Sequence, residues 1–339
     1  METEIKNVSE LGREIFFRIP PEEVEACRKK IIEEFRQHAQ IEGFRKGKVP
    51  ASLVAARYAE AIREQILQRL IPEAYLKTIK EKHLSVVSEP EVSEVKLDQD
   101  GLHFKVYVEL KPEVNLSRYL GLTLKKVEPE QITEEMVNQV LSQWENKPEL
   151  AASIIDPEKR RAWKERIREQ LEILARTKAR AAEEKQIWDQ LFSQAKFALP
   201  EKLVQERASR YTEEELKRQN LQGKNEEEIN RLAKEIFEKV KPRGVDDVRK
   251  YFILEKVAEN EGLVCTEEEL TERIRHIARA AGESEEQIRE KMRKAGRLEE
   301  LKSEIRLDKA FALILEKAQV ISRVVLPEET PGKVMRSKE

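Results

Sequence analysis

The residues best suited to recognising a partner lie in one short stretch, residues 41–50, which reads Ile-Glu-Gly-Phe-Arg-Lys-Gly-Lys-Val-Pro. Two of the chain's 11 glycines fall within five residues there, and glycine permits the backbone angles that an exposed turn requires. The stretch also contains three cations and one aromatic residue. Such cations pair with phosphates or carboxylates, and an exposed Phe can fill an apolar pocket of a partner. We therefore predict a presented recognition loop, whose candidate residues are Gly43, Phe44, Arg45, Lys46, Gly47 and Lys48.

The same loop has a simpler interpretation, in which it is a helix-to-helix turn. Phe44 would then pack into the core and the cations would be solvated. Composition alone does not separate the two interpretations, because single half-exposed aromatic residues are common in folded proteins. The order of the residues favours a recognition loop.

Gly-Phe-Arg-Lys-Gly-Lys-Val-Pro, at residues 43–50, resembles without a gap the ribosome-docking signature of the bacterial trigger factor family. This resemblance implies an ATP-independent chaperone that docks near the peptide exit of the large ribosomal subunit, against ribosomal protein and ribosomal RNA. It also implies that apolar segments of nascent polypeptides are shielded there during folding. We accordingly expect a cytoplasmic protein, partly bound to ribosomes, with no cofactor and no membrane partner; a homodimer of the free protein is left open.

Client-lining residues are expected, from the same resemblance, on the inner faces of a helical body. For each candidate taken singly, ordinary helix-packing core is the favoured interpretation, and the chain contains only four methionines for a promiscuous surface. The candidates are Ile154, Ile155, Tyr251, Phe252, Phe311 and Leu315.

The remaining chemistry-bearing residues predict neither a catalytic site nor a metal site. The four histidines and two cysteines lie singly and far apart, without the spacing of metal ligands or of a disulfide framework. Members of the family usually carry a prolyl isomerase domain of the FK506-binding type after a connector. Here only about ten residues, 146–155, lie at that point, which is too few for a domain. We expect a protein that is not an enzyme; the alternatives are a ribosome-independent scaffold, adaptor or free holdase and, less favoured, an isomerase with a cryptic site.

Composition and charge are typical of long solvated helices. Charged residues make up 38% of the chain and aromatic residues only 6%. Residues 1–112 contain 19 Lys and Arg against 20 Asp and Glu, so a broad nucleic-acid-binding face on the head is disfavoured. Any RNA contact must be local. No apolar run approaches the length of a membrane helix, and the first residues lack the layout of a signal peptide.

Hydrophobic periodicity predicts the elements that would present the loop. Strands are expected within residues 3–19 and 86–110, and helices over 21–39 and 53–82, the latter kinked or broken at Pro72. One antiparallel sheet with the helices on one face follows from this order.

Residues from about 130 to 321 carry helical periodicity. The pattern predicts a helix of about 37 residues from Asp156, a break at Pro242, a capping box from Thr266 to Glu269 and a last helix ending at Ile321. No strand is predicted in this part. The fold class is therefore an α+β N-terminal head, an antiparallel sheet with long helices, followed by an elongated all-α multi-helix body with arms.

The predicted domains follow the order of the chain. They are a ribosome-binding head at 1–112, a connector and first body helix at 113–145, a helical chaperone body at 146–325 and a mobile tail at 326–339.

Overall fold

The computed structural model describes residues 1–40, 44–45, 48–145, 156–219, 221 and 225–321. The chain forms two compact units, and each is built from two separate segments. The first unit combines Met1–Glu113 with Phe197–Arg249, and the second combines Val114–Lys196 with Lys250–Glu339. The described residues hold ten helices and six strands. Residues 197–249 thus pack with the predicted head, although the predicted domain scheme assigns them to the body.

The first unit contains the predicted antiparallel sheet. Its strands are β1 (Glu2–Asn7), β2 (Gly12–Ile19), β3 (Glu91–Asp98) and β4 (Gly101–Glu109), in the order β1-β2-β4-β3. In the β2–β4 register Phe17 lies opposite Phe104, and the two rings stack with centroids 4.5 Å apart. The predicted alternation is confirmed, because every second residue of β2 and β4 enters the core.

Three helices cover one face of this sheet: α1 (Pro21–His38), α2 (Ala51–Arg57) and α3 (Ala59–Glu81). Their apolar stripes share one core with the sheet. The buried members are Ile15, Phe17, Ile19, Val24, Cys27, Ile31, Ile62, Ile66, Leu70, Ala74, Leu102, Phe104, Val106 and Val108.

Of the two alternatives predicted at Pro72, a kink or a break, the break is wrong. Helix α3 continues through Pro72, and the break falls at Tyr58, where φ is −113° and ψ is 27°. A proline removes only one backbone hydrogen bond, and the buried residues Leu70 and Ala74 hold the helix on either side of it. The ring of Tyr58 packs 5.6 Å from that of Phe35, so tertiary packing sets the position of the break.

The β3–β4 turn requires a glycine. Gly101 has φ of +117°, and a Cβ atom there would lie 2.1 Å from the carbonyl oxygen of Ile19. The Asp98 carboxylate accepts a hydrogen bond from the Asp100 N–H at 2.9 Å, which stabilises the turn.

Two further helices, α6 (Glu201–Arg218) and α7 (Glu226–Asn260), contribute residues to the first unit. The break predicted at Pro242 is wrong, because α7 runs through it as one helix of 35 residues. A Cβ atom on Gly244 would lie only 3.2 Å from the Val204 carbonyl oxygen, so the two helices approach closely just after the proline. The Tyr211 hydroxyl donates to Asp247, and Arg243 lies 3.8 Å from the Tyr211 ring. These contacts hold α7 against α6 on the C-terminal side of the proline.

A buried carboxylate connects the sheet to α6. Glu109, at the end of β4, is 4% exposed and accepts hydrogen bonds from the N–H groups of Glu201 and Lys202 at 3.1 and 3.0 Å. Both N–H groups belong to the first turn of α6, where no intrahelical partner exists and the helix dipole favours negative charge. Lys202 in turn forms an ion pair with Glu91 at 2.9 Å and lies 5.0 Å from the Tyr107 ring.

The second unit contains a long helix bound to an extended connector. Helix α5 (Pro157–Gln194) has 38 residues, and Asp156 caps it by accepting from the N–H groups of Glu158 and Lys159 at 2.8 and 3.2 Å. These findings confirm its predicted start and length. Helix α4 (Glu134–Glu145) packs against α5 through Val137, Leu141 and Ile167.

A two-stranded parallel sheet in the second unit was not predicted. Strand β5 (Thr123–Lys125) pairs with β6 (Gln319–Ile321), so the expectation of a body without strands is wrong. The last helix, α10 (Leu298–Glu316), also ends before the predicted Ile321. Three-residue strands that pair across almost 200 positions leave no local periodicity to detect.

Helices α8 (Glu267–Ala281) and α9 (Glu285–Lys294) complete the second unit together with α10. The predicted capping box is confirmed: Thr266 and Glu269 each accept a hydrogen bond from the other's backbone N–H, at 3.3 and 2.9 Å. Gly282 then ends α8 in the left-handed conformation. The three helices enclose a core of Leu270, Ile274, Ala278, Ile288, Leu301 and Ile305.

Replacing the buried Glu109 tests its role as the cap of α6. We expect Glu109→Ala to lower the free energy of unfolding by about 1 to 3 kcal/mol, because two partly buried N–H groups lose their acceptor. Glu109→Gln keeps one acceptor oxygen and should cost less. Urea unfolding followed by far-UV circular dichroism, with hydrogen exchange of the Glu201 and Lys202 amides, measures both effects. Glu113→Ala, at an exposed position of the same segment, is the control; equal stability of the two alanine variants would contradict the assignment.

Candidate functional site

The predicted recognition loop begins and ends on a small apolar cluster. Ala39, Val49 and Val54 are all buried there, with exposed fractions of 5% or less. Ile32, Phe35 and Tyr58 pack against them. Because residues on both sides of the loop belong to this cluster, the chain enters and leaves the loop at fixed positions.

The described residues of the loop tip are exposed. Phe44 is 43% exposed, while Arg45 and Lys48 are also exposed and make no ion pair with any residue that the structure describes. The Lys48 N–H donates a hydrogen bond to the Arg45 carbonyl oxygen at 2.9 Å. Phe44 is not a member of the cluster at the loop base. The interpretation in which Phe44 packs into the core therefore finds no support. Gly43, Lys46 and Gly47 lie outside the described residues.

An ion pair joins the two helices beside the loop. Glu34 of α1 and Arg69 of α3 form two parallel hydrogen bonds, each 3.0 Å long. This bidentate contact lowers the pKa of the Glu34 carboxyl and raises that of the Arg69 guanidinium, chiefly through the hydrogen bonds themselves. This contact fixes α1 relative to α3 close to the end of α1, after which the loop begins.

A surface cavity of about 560 Å³ lies next to the loop base. Its lining combines two aromatic rings with polar groups, namely Glu34, Phe35, His38, Ala39, Tyr58 and Gln65. The cavity adds an apolar surface with a carboxylate at its rim to the same end of the first unit.

The structure describes four of the six predicted client-lining residues, all of them in the second unit. Tyr251, Phe311 and Leu315 are half-buried in the second unit, whereas Phe252 is only 1% exposed and belongs to the core. Burial therefore removes Phe252 from the candidates for a contact surface. Phe311 stacks on Trp188, with ring centroids 4.9 Å apart. Ile154 and Ile155 lie outside the described residues.

Other exposed apolar residues of the second unit were missed by the sequence analysis. Ile173 and Leu174 of α5 are 62% and 48% exposed, and Val264, Val320 and Ile321 are exposed by more than half. A signal was present for Ile173, because it lies off the stripe that Ile167, Leu171 and Ala175 mark on the helix.

The described part of the chain contains no group of three or more His, Cys, Asp or Glu residues placed to hold a metal ion. Within the same residues, every helix is too short or too polar to cross a membrane.

Comparisons with known proteins give a consistent result for both ends of the chain. Residues 1–144 match the family profile of the bacterial trigger factor protein, and residues 161–316 match that of the trigger factor C-terminus. The trigger factor of Citrifermentans bemidjiense is 34% identical over 127 residues, which are 37% of this chain and 29% of the relative. The trigger factor of Solibacter usitatus is 33% identical over 123 residues, which are 36% of this chain and 29% of the relative. The matched region thus spans less than a third of these relatives' length.

A solved structure supports the fold independently of the aligned sequences. It is described as "Promiscuous Substrate Recognition in Folding and Assembly Activities of the Trigger Factor Chaperone" and superposes with a TM-score of 0.55 at 17% identity. The superposition covers 94% of this chain and 100% of the other. At this identity the likeness supports the fold class alone.

The Glu34–Arg69 contact has a defined dependence on pH. The folded-state pKa of Glu34 lies below its ordinary value of 4.5, so its contribution to stability is present above about pH 4.5 and is lost as the pH falls through the folded-state pKa. We expect Glu34→Gln to lower the urea midpoint at pH 6, and the difference from wild type to shrink by pH 3.

Glu33→Gln is the matched control for this prediction, because the ion pair of Glu33 with Arg36 stays within α1. It should lower the midpoint at pH 6 by less than Glu34→Gln does. A difference between wild type and Glu34→Gln that stays constant down to pH 3 would rule out the assigned contribution.

Proposed function

The chain belongs to the bacterial trigger factor family, and from this premise we propose that it is an ATP-independent chaperone that docks at the ribosomal exit site through residues 43–50. It then shields apolar segments of nascent polypeptides during folding. The observation that carries the docking proposal is the exposure of Phe44 and its neighbouring cations above a buried base. An aromatic side chain in that position contributes little to the stability of the fold, but it can contact a partner.

The chemistry of the loop suits reversible binding. Full burial of a Phe side chain contributes about 1.5 to 3 kcal/mol. Phe44 is partly exposed, so a partner that buries the rest of this side chain gains part of that free energy. Arg45 and Lys48 supply contacts to ribosomal RNA phosphates or to acidic side chains of a ribosomal protein. With so few cations, the affinity falls only modestly with salt. Such docking can be released, as a chaperone that cycles between ribosomes requires.

Client binding is assigned to scattered apolar groups of the second unit. Tyr251, Phe311 and Leu315 stay in this proposal, and the exposed Ile173 and Leu174 join them. Phe252 is left out because it is buried. Small, separate apolar contacts favour weak binding of many sequences over tight binding of one.

The domain roles follow from the family. We assign ribosome binding to the head at 1–112, chaperone activity to the body at 146–325, and connection to 113–145. The two family profiles leave only residues 145–160 unmatched between them, which supports a form without the isomerase domain and hence without isomerase turnover. We place the protein in the cytoplasm, in part on ribosomes.

Co-sedimentation with vacant bacterial ribosomes tests the docking proposal. We expect saturable binding by the wild type, weakened about tenfold or more in a Phe44→Ala, Arg45→Ala, Lys48→Ala variant, since one apolar and two ionic contacts are lost. The matched control is Leu76→Ala, Lys77→Ala, Lys80→Ala, which removes one exposed apolar residue and two cations from α3 of the same unit. The control should bind like the wild type.

Two other outcomes would change the proposal. Equal ribosome affinity of all three proteins, or none, would reject the loop as the docking element. If the wild type then suppressed aggregation of an unfolded client, a ribosome-independent holdase would replace it. Catalysed isomerisation of a proline-containing peptide by the purified protein would contradict the absence of enzymatic activity.

A further inference from the structure

The antiparallel sheet of the first unit has two edge strands, β1 and β3, which differ in regularity. An edge strand presents backbone N–H and C=O groups that a further strand can bind. In β3 the register shifts between Ser93 and Lys96, and Glu94 has a φ of +53°, so a bulge interrupts this edge. In β1 all six residues keep one continuous register with β2. Strand β1 is therefore the regular edge of the sheet.

The outward-pointing backbone groups of β1 belong to three of its residues. The Val8 N–H donates to the Gly12 carbonyl oxygen at 3.0 Å and continues the β1–β2 register. Residues of an antiparallel strand bond alternately to the two sides, so Thr3, Ile5 and Asn7 direct their N–H and C=O groups away from β2. In the described part of the chain no other backbone group pairs with these groups. They can therefore bind the backbone of a partner strand.

The side chains of β1 restrict which strand can pair with it. Ile5 is half-buried and packs against the core of the first unit. Glu4 and Lys6 are exposed on the other face of the sheet, where their charged atoms lie 3.5 Å apart and Lys6 lies 4.6 Å from the Phe16 ring. Charged side chains on an edge strand usually oppose pairing. A partner strand must therefore place opposite charges beside Glu4 and Lys6.

We propose that this partner is β1 of a second copy of the chain, paired antiparallel about a two-fold axis at Ile5. Ile5 then faces Ile5 of the second copy, and each Glu4 faces a Lys6, so two opposite-charge pairs flank one apolar pair. Thr3 faces Asn7 in the same register. All the residues with outward-pointing backbone groups thus face one another, and each such pair exchanges two hydrogen bonds.

A second copy fits this edge better than an unfolded polypeptide segment does. The second copy is already held as a strand by its own β2, so it loses less conformational entropy on pairing. It also carries the required charges at fixed positions, whereas a segment of arbitrary sequence does not. The pairing joins two four-stranded sheets into one continuous sheet, with the helices of both copies on the same face.

The proposed interface lies apart from the docking loop. The Met1 amino group, which directly precedes β1, pairs with Glu23 in the first turn of α1 at 2.9 Å. The loop follows the last turn of α1, roughly 22 Å away along the helix at 1.5 Å per residue. Self-association therefore uses none of the loop residues, and mutations can separate it from ribosome docking.

Sedimentation velocity of the full-length protein, from about 1 to about 100 μM, measures this association. The wild type should form a reversible dimer whose fraction rises with concentration. Glu4→Lys and Lys6→Glu each place like charges at both cross-strand positions, so each should weaken the dimer at least about tenfold. The double variant Glu4→Lys, Lys6→Glu exchanges both charges and should dimerise like the wild type. Circular dichroism checks the fold of each variant.

Mixing the two single variants gives the sharpest test, because a heterodimer of them has opposite charges at both cross-strand positions. The equimolar mixture should dimerise although each variant alone is largely monomeric. The matched controls are Glu10→Lys, in the turn after β1, and Lys96→Glu, on the other edge strand; both should dimerise like the wild type.

The loop variant Phe44→Ala, Arg45→Ala, Lys48→Ala should also dimerise like the wild type, which separates this proposal from ribosome docking. A wild type that stays monomeric over the whole range, or a mixture that associates no more than its components, would overturn the proposal. A monomeric wild type that binds a reduced and carboxymethylated unfolded protein, with that binding lost in the single variants, would assign the edge to clients instead.

Discussion

The first unit depends on one buried carboxylate that joins segments distant in the sequence. Glu109 ends the central strand β4, and the helix it caps begins more than ninety residues later. A buried carboxylate is costly unless its oxygens are satisfied, and here two backbone N–H groups and the Tyr107 hydroxyl satisfy them. The contact also supplies acceptors for amides that the helix itself leaves without partners. One side chain thus resolves two unsatisfied requirements and fixes where α6 meets the sheet.

The second unit solves a similar problem with amide side chains. The extended connector containing β5 has one edge on β6 and the other on α5, which as a helix offers no free backbone groups along its side. Gln186 and Gln190, one turn apart, each donate to and accept from the connector backbone at residues 125 and 123, with distances of 2.7 to 3.1 Å. A carboxamide has the same donor and acceptor as a peptide group, so these two side chains replace a missing neighbouring strand. The long charged helix is consequently a structural partner of the connector.

Local signals in the sequence were sufficient wherever the determining contacts were local. The Asp156 cap, the capping box at Thr266 and the alternation of β4 all involve residues a few positions apart. The breaks predicted at Pro242 and, as one alternative, at Pro72 are wrong, because both helices continue through the proline. Near Pro242 the cost is offset by distant partners such as Val204 against Gly244. The β5–β6 pair was missed because it also depends on residues that are far apart in the sequence. For the loop, residue types located the candidate site, but its anchoring on Ala39, Val49 and Val54 required the tertiary structure.

The same anchoring explains how a surface loop can be both exposed and well placed. The loop is stabilised at its base by the burial of Val49 and Val54, and neither residue is needed at the surface for recognition. The recognition that we propose is assigned to the tip, where the exposed Phe44 and the neighbouring cations contribute little to the fold. With a formal net charge of −2, the chain has no general attraction for a polyanion. Any affinity for anionic partners must then arise from a few positions where cations lack acidic neighbours, and the backbone at those positions has to be held by packing beneath them.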